Sequence, residues 1–300
     1  MSIRSSIYKL LKGRFNITFS NGKSGVRLIS IGEKIVALFN HDTLGDLYPN
    51  HLGHLNYICN ICGQNAGLNL TRLHRESISC LNCGSSLRFR TVIHLLSVEL
   101  FGKSIAIPEF PVRRNIKGIG MSDWFVYANR LSEKLNYKNT FYDQKPRLDI
   151  TKIDPKLENS LDFLISSDVF EHVAPPVSLA FENAYRLLKP GGFLIFTVPY
   201  KKYGITDEFF PNLYDFQISK DGESSVLINT TKDGHKEEFR NLEFHHGEGS
   251  TLTMRLFSEQ SLLEEFNRAG FSQVKIVNEP CFEHGIFWNR VTDLPFVVRK

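Results

Sequence analysis

Residues 187–200, "LLKPGGFLIFTVPY", decide how the rest of the chain is read. From Val177 onward, Ala180, Phe181, Ala184, Tyr185 and Leu188 recur at helical spacing and make one apolar face. Pro175 and Pro176 suit the opening turn of such a helix, where a missing N–H costs little. Lys189 favours the negative helix end, Pro190 stops the helix, and Gly191 or Gly192 can take the left-handed conformation of a cap. Phe193 to Val198 is then apolar on both faces, the pattern of a strand in a sheet covered on both sides. Before the helix, "LDFLISSDVFEHV" (161–173) is a second apolar run that ends in polar residues. Strand, helix and strand in that order predict a βαβ unit in a parallel sheet. Ser167, Asp168, Glu171 and His172 crowd the carboxyl end of its first strand, which is where α/β sheets bind ligands.

The chain around this unit has 300 residues, 42% of them hydrophobic and 23% charged, with ample material for a core. It contains no apolar run of about 18 residues and no secretory pattern at its start, so a cytoplasmic protein is expected. The net charge of +4 is unevenly spread. Through residue 36, seven basic residues face Glu33 alone, leaving that stretch at +6 and the remainder at −2. A solvated terminus accounts for this basic segment (1–56), and a peripheral contact with an anionic membrane surface is the alternative.

Cys59-x2-Cys62 and Cys80-x2-Cys83 form two knuckles separated by seventeen residues. Two such pairs close a tetrahedral four-thiolate shell, which marks a structural rather than a catalytic Zn2+. A pair of disulfides is disfavoured without a secretory signal, and a redox C-x-x-C would not explain the duplication. Residues 57–90 are therefore expected to be a small zinc ribbon, followed by a helix and linker over 91–112. Arg72, His74, Arg75, Arg88 and Arg90 flank the pairs and can read phosphate. The basic–aromatic interleaving of single-strand binders is missing, so nucleic acid is not the expected partner.

From Asn115, "IKGIGMSDWF" offers a short strand reaching Gly118 and Gly120, with Ser122 or Asp123 placed to cap a following helix. Glycines at a strand-to-helix turn let the backbone approach a ligand. Asp143 lies near the distance beyond such a turn where an acidic residue grips a ribose diol. Asp143 and Asp149 also suit a turn beside Pro146 or a helix cap.

The block "LDFLISSDVFEHVAPPVSLAFENAYRLLKPGGFLIFTVPY" (161–200) resembles the central part of class I S-adenosylmethionine-dependent methyltransferases. "FSEQSLLEEFNRAGFSQVKIV" (257–277) is similar to the same family's late helix and strand, and "FVVRK" (296–300) to its final strand. This resemblance implies a Rossmann-like, doubly wound, mostly parallel α/β sheet over 113–300, carrying S-adenosyl-L-methionine. Gly118 and Gly120 would form the cofactor loop, Asp143 would hold the ribose, and Asp149 with Ile150 would flank the adenine. Ser167 and Asp168 would line the cofactor side of the fourth strand. The family's acidic-glycine run departs here to "KGIGMSD", with Lys117, Met121 and Ser122 at positions often acidic or glycine. A degenerate, inactive site beside a zinc-ribbon binding module, or a nucleic-acid methyltransferase, are the alternatives to an active small-molecule enzyme.

Residues 200–256 are far longer than an ordinary connection and should overhang the strand ends to form an acceptor pocket. A hairpin turning at Asp233-Gly234 is expected there, followed by a polar loop with His245 and His246. The acceptor is expected to be a small molecule or glycan, by family analogy one from surface-polysaccharide synthesis. His172, His245 and His246 are the residues placed to take its proton, and a structural hydrogen bond is the alternative role for each.

Overall fold

The computed structural model describes residues 19–21, 27–31, 34–38, 54–69, 74–222, 224–245, 252–288, 292 and 294–300. The chain divides into two compact units, Met1–Pro111 with Val277–Leu294, and Val112–Ile276 with Pro295–Lys300. Among the described residues, no helix is long and apolar enough to cross a membrane.

In the first unit, β1 (Phe19–Asn21), β2 (Arg27–Ile31) and β3 (Lys34–Leu38) form an antiparallel meander. The hairpin of β4 (His54–Ile58) and β5 (Asn65–Asn69) encloses the first cysteine knuckle, and that of β6 (Ile78–Cys80) and β7 (Ser85–Ser86) encloses the second. Helix α1 (Leu87–Phe101) starts earlier than the sequence suggests, because the Ser86 hydroxyl accepts from the Phe89 N–H and caps it. Gly102, at φ 71°, ends it. The earlier start brings Arg90 onto the helix, where its side chain is fully buried. Its guanidinium donates to the carbonyls of His284 (3.0 Å) and Gly285 (3.1 Å) and to Ser79 Oγ (2.8 Å). Residues 284 and 285 are thus fastened to the region of the two cysteine hairpins by a residue almost two hundred positions away.

In the second unit, β8 (Arg113–Met121), α2 (Phe125–Lys134), β9 (Leu135–Thr140), β10 (Leu161–Ser167), α3 (Ser178–Leu187) and β11 (Leu188–Thr197) build the central sheet. After them come β12 (Tyr200–Lys201), β13 (Asp207–Glu208), the antiparallel trio β14 (Asp215–Asp221), β15 (Ser224–Thr230) and β16 (Lys236–Phe239), and β17 (Arg255–Ser258). Helix α4 (Glu259–Ala269), β18 (Gln273–Ile276) and β19 (Phe296–Arg299) complete the unit. The sheet order is β18-β19-β11-β10-β8-β9. β8, β9, β10 and β11 are parallel, and β19 runs antiparallel to both neighbours. This is a mostly parallel α/β sheet of the methyltransferase-like kind.

Residue alternation along the strands gives the sheet two packed faces. Phe170, Phe181, Phe196, Phe257, Phe266 and Phe296 fill one face through edge-to-face and tilted contacts with centroids 4.9–6.1 Å apart. On the other, Phe163 stacks between Tyr137 (6.1 Å) and Phe193 (6.0 Å).

The Lys-Pro-Gly-Gly stretch is not a helix cap. Helix α3 ends at Leu187, and Leu188 is already extended and paired with Leu161. The register then shifts before Phe163 meets Phe193, so Pro190, Gly191 and Gly192 form a bulge inside β11. Gly191 does take a left-handed φ of 78°, and Lys189 pairs with Asp162 (2.7 Å) instead of a helix end. The Asp233-Gly234 turn is found, with the Gly234 N–H on the Thr231 carbonyl between β15 and β16.

Candidate functional site

The chain runs from β8 to β9 on one side and then crosses back to β10 on the other. The crevice between β8 and β10 is therefore the switch point where an open α/β sheet binds its ligand. Met121 pairs with Thr140 and Ser166, and Ser167 with Thr197, so four strand ends meet along one edge. Two of them continue into residues with positive φ that are not glycine: Ser122 (56°) after β8 and Asp168 (57°) after β10. Such backbone conformations cost about 1–3 kcal/mol and concentrate at functional sites. Ser122 stands where the family places a glycine, so its left-handed turn was readable as a departure from the motif but not as a conformation.

Gly118 and Gly120 lie inside β8 rather than in the turn after it. A Cβ on Gly118 would come 2.1 Å from the Phe163 ring, and one on Gly120 would come 2.0 Å from the Tyr137 hydroxyl and 2.1 Å from Asp123 Oδ2. Both glycines are thus demanded by the packing beneath the strand. Asp123 does not cap α2, whose N-cap is Trp124 without a side-chain bond. It turns inward, accepting from Tyr137 Oη at 2.5 Å, while burial pushes the Tyr137 phenol well above its usual pKa. Gly118→Ala is expected to destabilise the protein by about 1–3 kcal/mol in urea unfolding, the usual cost of overpacking. Adding Phe163→Leu should recover part of that loss, and no recovery would show that the ring is not the obstacle.

Asp143 is exposed just past β9, with its carboxylate at the surface. Asp149 Oδ1 accepts from the Thr151 N–H (2.9 Å) and hydroxyl (2.7 Å), which makes it a turn-former. Ile150 is buried in the core, and its carbonyl accepts from Asn183 (2.9 Å). Ser167 Oγ lies 3.2 Å from Thr197 Oγ1, and the Thr197 hydroxyl reaches Asp168 Oδ1 at 2.9 Å. Thr197 is a member of this group that sequence reading passed over, because a threonine ending an apolar strand carries no signal of its own.

His172 closes a short 3-10 turn, Phe170–His172. Its Nδ1 lies 3.0 Å from the Leu252 carbonyl, and its ring meets that of His245 at 5.0 Å and 85°. The long insertion therefore packs against the carboxyl end of β10. His246 lies outside the described residues.

The four predicted cysteines form one cluster. Cys59 Sγ is 3.7 Å from Cys83 Sγ, and Cys62 Sγ is 3.8 Å from Cys80 Sγ. An ion with four tetrahedral bonds of about 2.3 Å holds its sulfurs about 3.8 Å apart, so the donor set fits zinc. Gly63 and Gly84 turn the knuckles at φ 75° and 78°, donating to the Cys59 (2.7 Å) and Cys80 (2.8 Å) carbonyls. Of the flanking cations, Arg75 and Arg88 pair with Glu76, and Arg90 is buried. Arg72 lies outside the described residues, and His74 is exposed.

Residues 119–196, from β8 through β11, match the family model described as a methyltransferase domain. The chain accordingly carries the fold of a S-adenosylmethionine-dependent methyltransferase, and the enzyme expectation stands. No curated protein matches the chain. Among solved structures, it is similar to the sugar-modifying CalS10, "an amino pentose methyltransferase from Micromonospora echinaspora", with 12% identity over 72% of this chain and 93% of that one, at a TM-score of 0.41. It is also similar to a S-adenosylmethionine-dependent methyltransferase from Clostridium acetobutylicum, at 13% identity, 71% and 90% coverage and a TM-score of 0.39. A third is the 1,6-didemethyltoxoflavin-N1-methyltransferase of Burkholderia thailandensis, at 14% identity, 71% and 76% coverage and a TM-score of 0.36. Likeness at this level carries no argument about the acceptor.

Proposed function

We propose that the chain transfers the methyl group of S-adenosylmethionine, in the cytoplasm, to a small-molecule or carbohydrate-like acceptor, with a structural zinc in its cysteine cluster. The observation that carries the reading is the match of residues 119–196 to a methyltransferase domain, whose strands β8 and β10 run into the positive-φ residues Ser122 and Asp168, with His172 beside His245 of the long insertion. The bound cofactor would supply an electrophilic methyl on a sulfonium. In this reading Asp143 grips the ribose hydroxyls, while Gly118 and Gly120 keep the strand above Phe163 and Tyr137 in place. The insertion would supply the acceptor contacts, and its exposed Tyr203, Tyr214 and Phe216 offer ring faces suited to the apolar face of a sugar. A carbonyl oxygen only accepts, so the His172 Nδ1 opposite Leu252 carries the proton and Nε2 keeps its lone pair.

Equilibrium binding of S-adenosylmethionine tests the cofactor half. Folded protein that binds none at millimolar cofactor would remove the proposal. Asp143→Ala is expected to weaken binding roughly 10- to 100-fold, the equivalent of about 1.5–3 kcal/mol for hydrogen bonds to a charged group. Unchanged affinity would take the ribose away from Asp143. The acceptor half is tested with a panel of free and nucleotide-linked sugars, read by transfer of labelled methyl.

A further inference from the structure

Glu171, His172 and His245 make a second cluster of ligand-type side chains, separate from the cysteines and just beyond the carboxyl end of β10. One ligand atom from each lies within 4.8 Å of the other two. His172 Nε2 is 3.8 Å from Glu171 Oε1, and the two imidazole rings stand almost perpendicular. Tetrahedral bonds of about 2.0–2.2 Å from a shared cation hold nitrogen and oxygen about 3.4 Å apart, so these atoms need to close by about 0.4 to 1.4 Å.

The cluster is held in a form suited to that ion. The Leu252 carbonyl at 3.0 Å keeps the proton of His172 on Nδ1 and turns the lone pair of Nε2 toward Glu171. This is the outer hydrogen bond that metal-binding histidines characteristically make. The backbone of the turn is pinned from the insertion as well. The Met254 N–H donates to the Glu171 carbonyl (2.8 Å), and Arg255 Nη1 donates to the carbonyls of Phe170 (2.9 Å) and Val173 (2.6 Å). Glu171 itself is only 1% exposed. A buried carboxylate beside two imidazoles is a donor set that a divalent cation neutralises at little cost in rearrangement.

We propose that Glu171, His172 and His245 bind one divalent first-row transition-metal cation, with open positions facing the acceptor side of the sheet edge. Two imidazoles and one carboxylate suit manganese, iron, cobalt or zinc, and three protein ligands leave room for oxygen donors. The acceptor role rests on the methyltransferase reading, whereas the cation site stands without it. An acceptor hydroxyl on such an ion loses its proton to water more readily. Its oxygen then bonds to the methyl carbon as the carbon–sulfur bond breaks and the electron pair returns to sulfur.

Manganese is the probe, because a four-thiolate shell selects softer ions. The full chain is titrated with Mn2+ while the electron paramagnetic resonance signal of the free ion is followed. About one ion per chain is expected to bind, and Cys80→Ser should bind it equally. His245→Ala and Glu171→Gln should each weaken it by at least about 100-fold, the upper end of the loss seen when only an outer partner is removed. His245→Ala changes a loop residue and keeps the test valid if the buried Glu171 variant fails to fold. No binding at millimolar Mn2+, or unchanged binding by folded His245→Ala, overturns the site. Cofactor binding measured on the same samples separates the two ideas: Mn2+ binding without S-adenosylmethionine binding would leave the cation site and remove the methyltransferase reading.

Discussion

Cys80→Ser protein is expected to lose its zinc and the order of the ribbon while keeping the parallel sheet. Structural zinc contributes about 10–16 kcal/mol of apparent binding free energy, which in a small metal domain is folding free energy. The ribbon has little else to replace it, since β6 and β7 have three and two residues. Without a cation the thiols are in conflict. A hydrogen bond from Cys83 pulls Cys59 down to about 4, while desolvation pushes Cys62 up to about 11. A central cation lets all four be thiolates, and the buried Arg90 guanidinium offsets the charge of −2 that results. Amide exchange should therefore rise over 54–69, 74–101 and 277–288, where Arg90 and the His284 Nδ1 contact with the Ile58 carbonyl (2.8 Å) tie the return segment. It should stay unchanged over β8 to β11. Metal analysis checks the ligands: about one zinc per chain in the parent, and stoichiometric zinc in a Cys80→Ser/Cys83→Ser protein would show that they are assigned wrongly. Because thiolates must shed their protons to bind, zinc should also be released as pH falls.

Arg255→Met is expected to cost about 3–5 kcal/mol, the range for removing one partner of a buried charged pair. Arg255 is fully buried and its Nε donates to Glu208 at 2.7 Å, tying β17 to β13. Its Nη1 holds the two carbonyls that bracket Glu171 and His172. Methionine matches the length of the side chain but removes the charged donor from both carbonyls, leaving Phe170 only its bond from the Val173 N–H, so the turn should loosen as well as the strand pair. Turnover should fall with stability, while affinity for S-adenosylmethionine changes less, since the assigned ribose contact lies on the β9 side. Arg255→Lys should rescue poorly, because an ammonium cannot span three acceptors with a planar fork. Glu208 is a third exposed, and Glu208→Gln should cost much less, near the value of a surface pair. Urea unfolding of Arg255→Met with the parent midpoint would show that the guanidinium contributes nothing to the fold.

The local pattern of the chain was enough for the βαβ core. Helical spacing from Ala180 to Tyr185 and the apolar run from Phe193 are one-dimensional signals, and the elements appear where those signals lie, while the late helix was expected from the resemblance alone. The clustering of the cysteines was equally legible, because two side chains on one knuckle need only a tight turn. Three features depended on the tertiary structure. Gly191 and Gly192 read as a helix stop, but pairing with β10 makes them a bulge, since a strand's register is decided by its neighbour. Gly118 and Gly120 read as a ligand turn, yet the atoms that exclude a Cβ belong to Phe163, Tyr137 and Asp123 on other elements. Arg90 read as a cation able to reach phosphate beside the cysteines, and nothing in the sequence singled out Arg255; carbonyls from residues 284–285 and 170–173 converge on them and offset their burial. Hydrophobic period and knuckle spacing are properties of neighbouring residues, and the sequence by itself determined those. Register, close approach and the satisfaction of buried charge are set by residues far apart in the chain, and only the folded chain decided them.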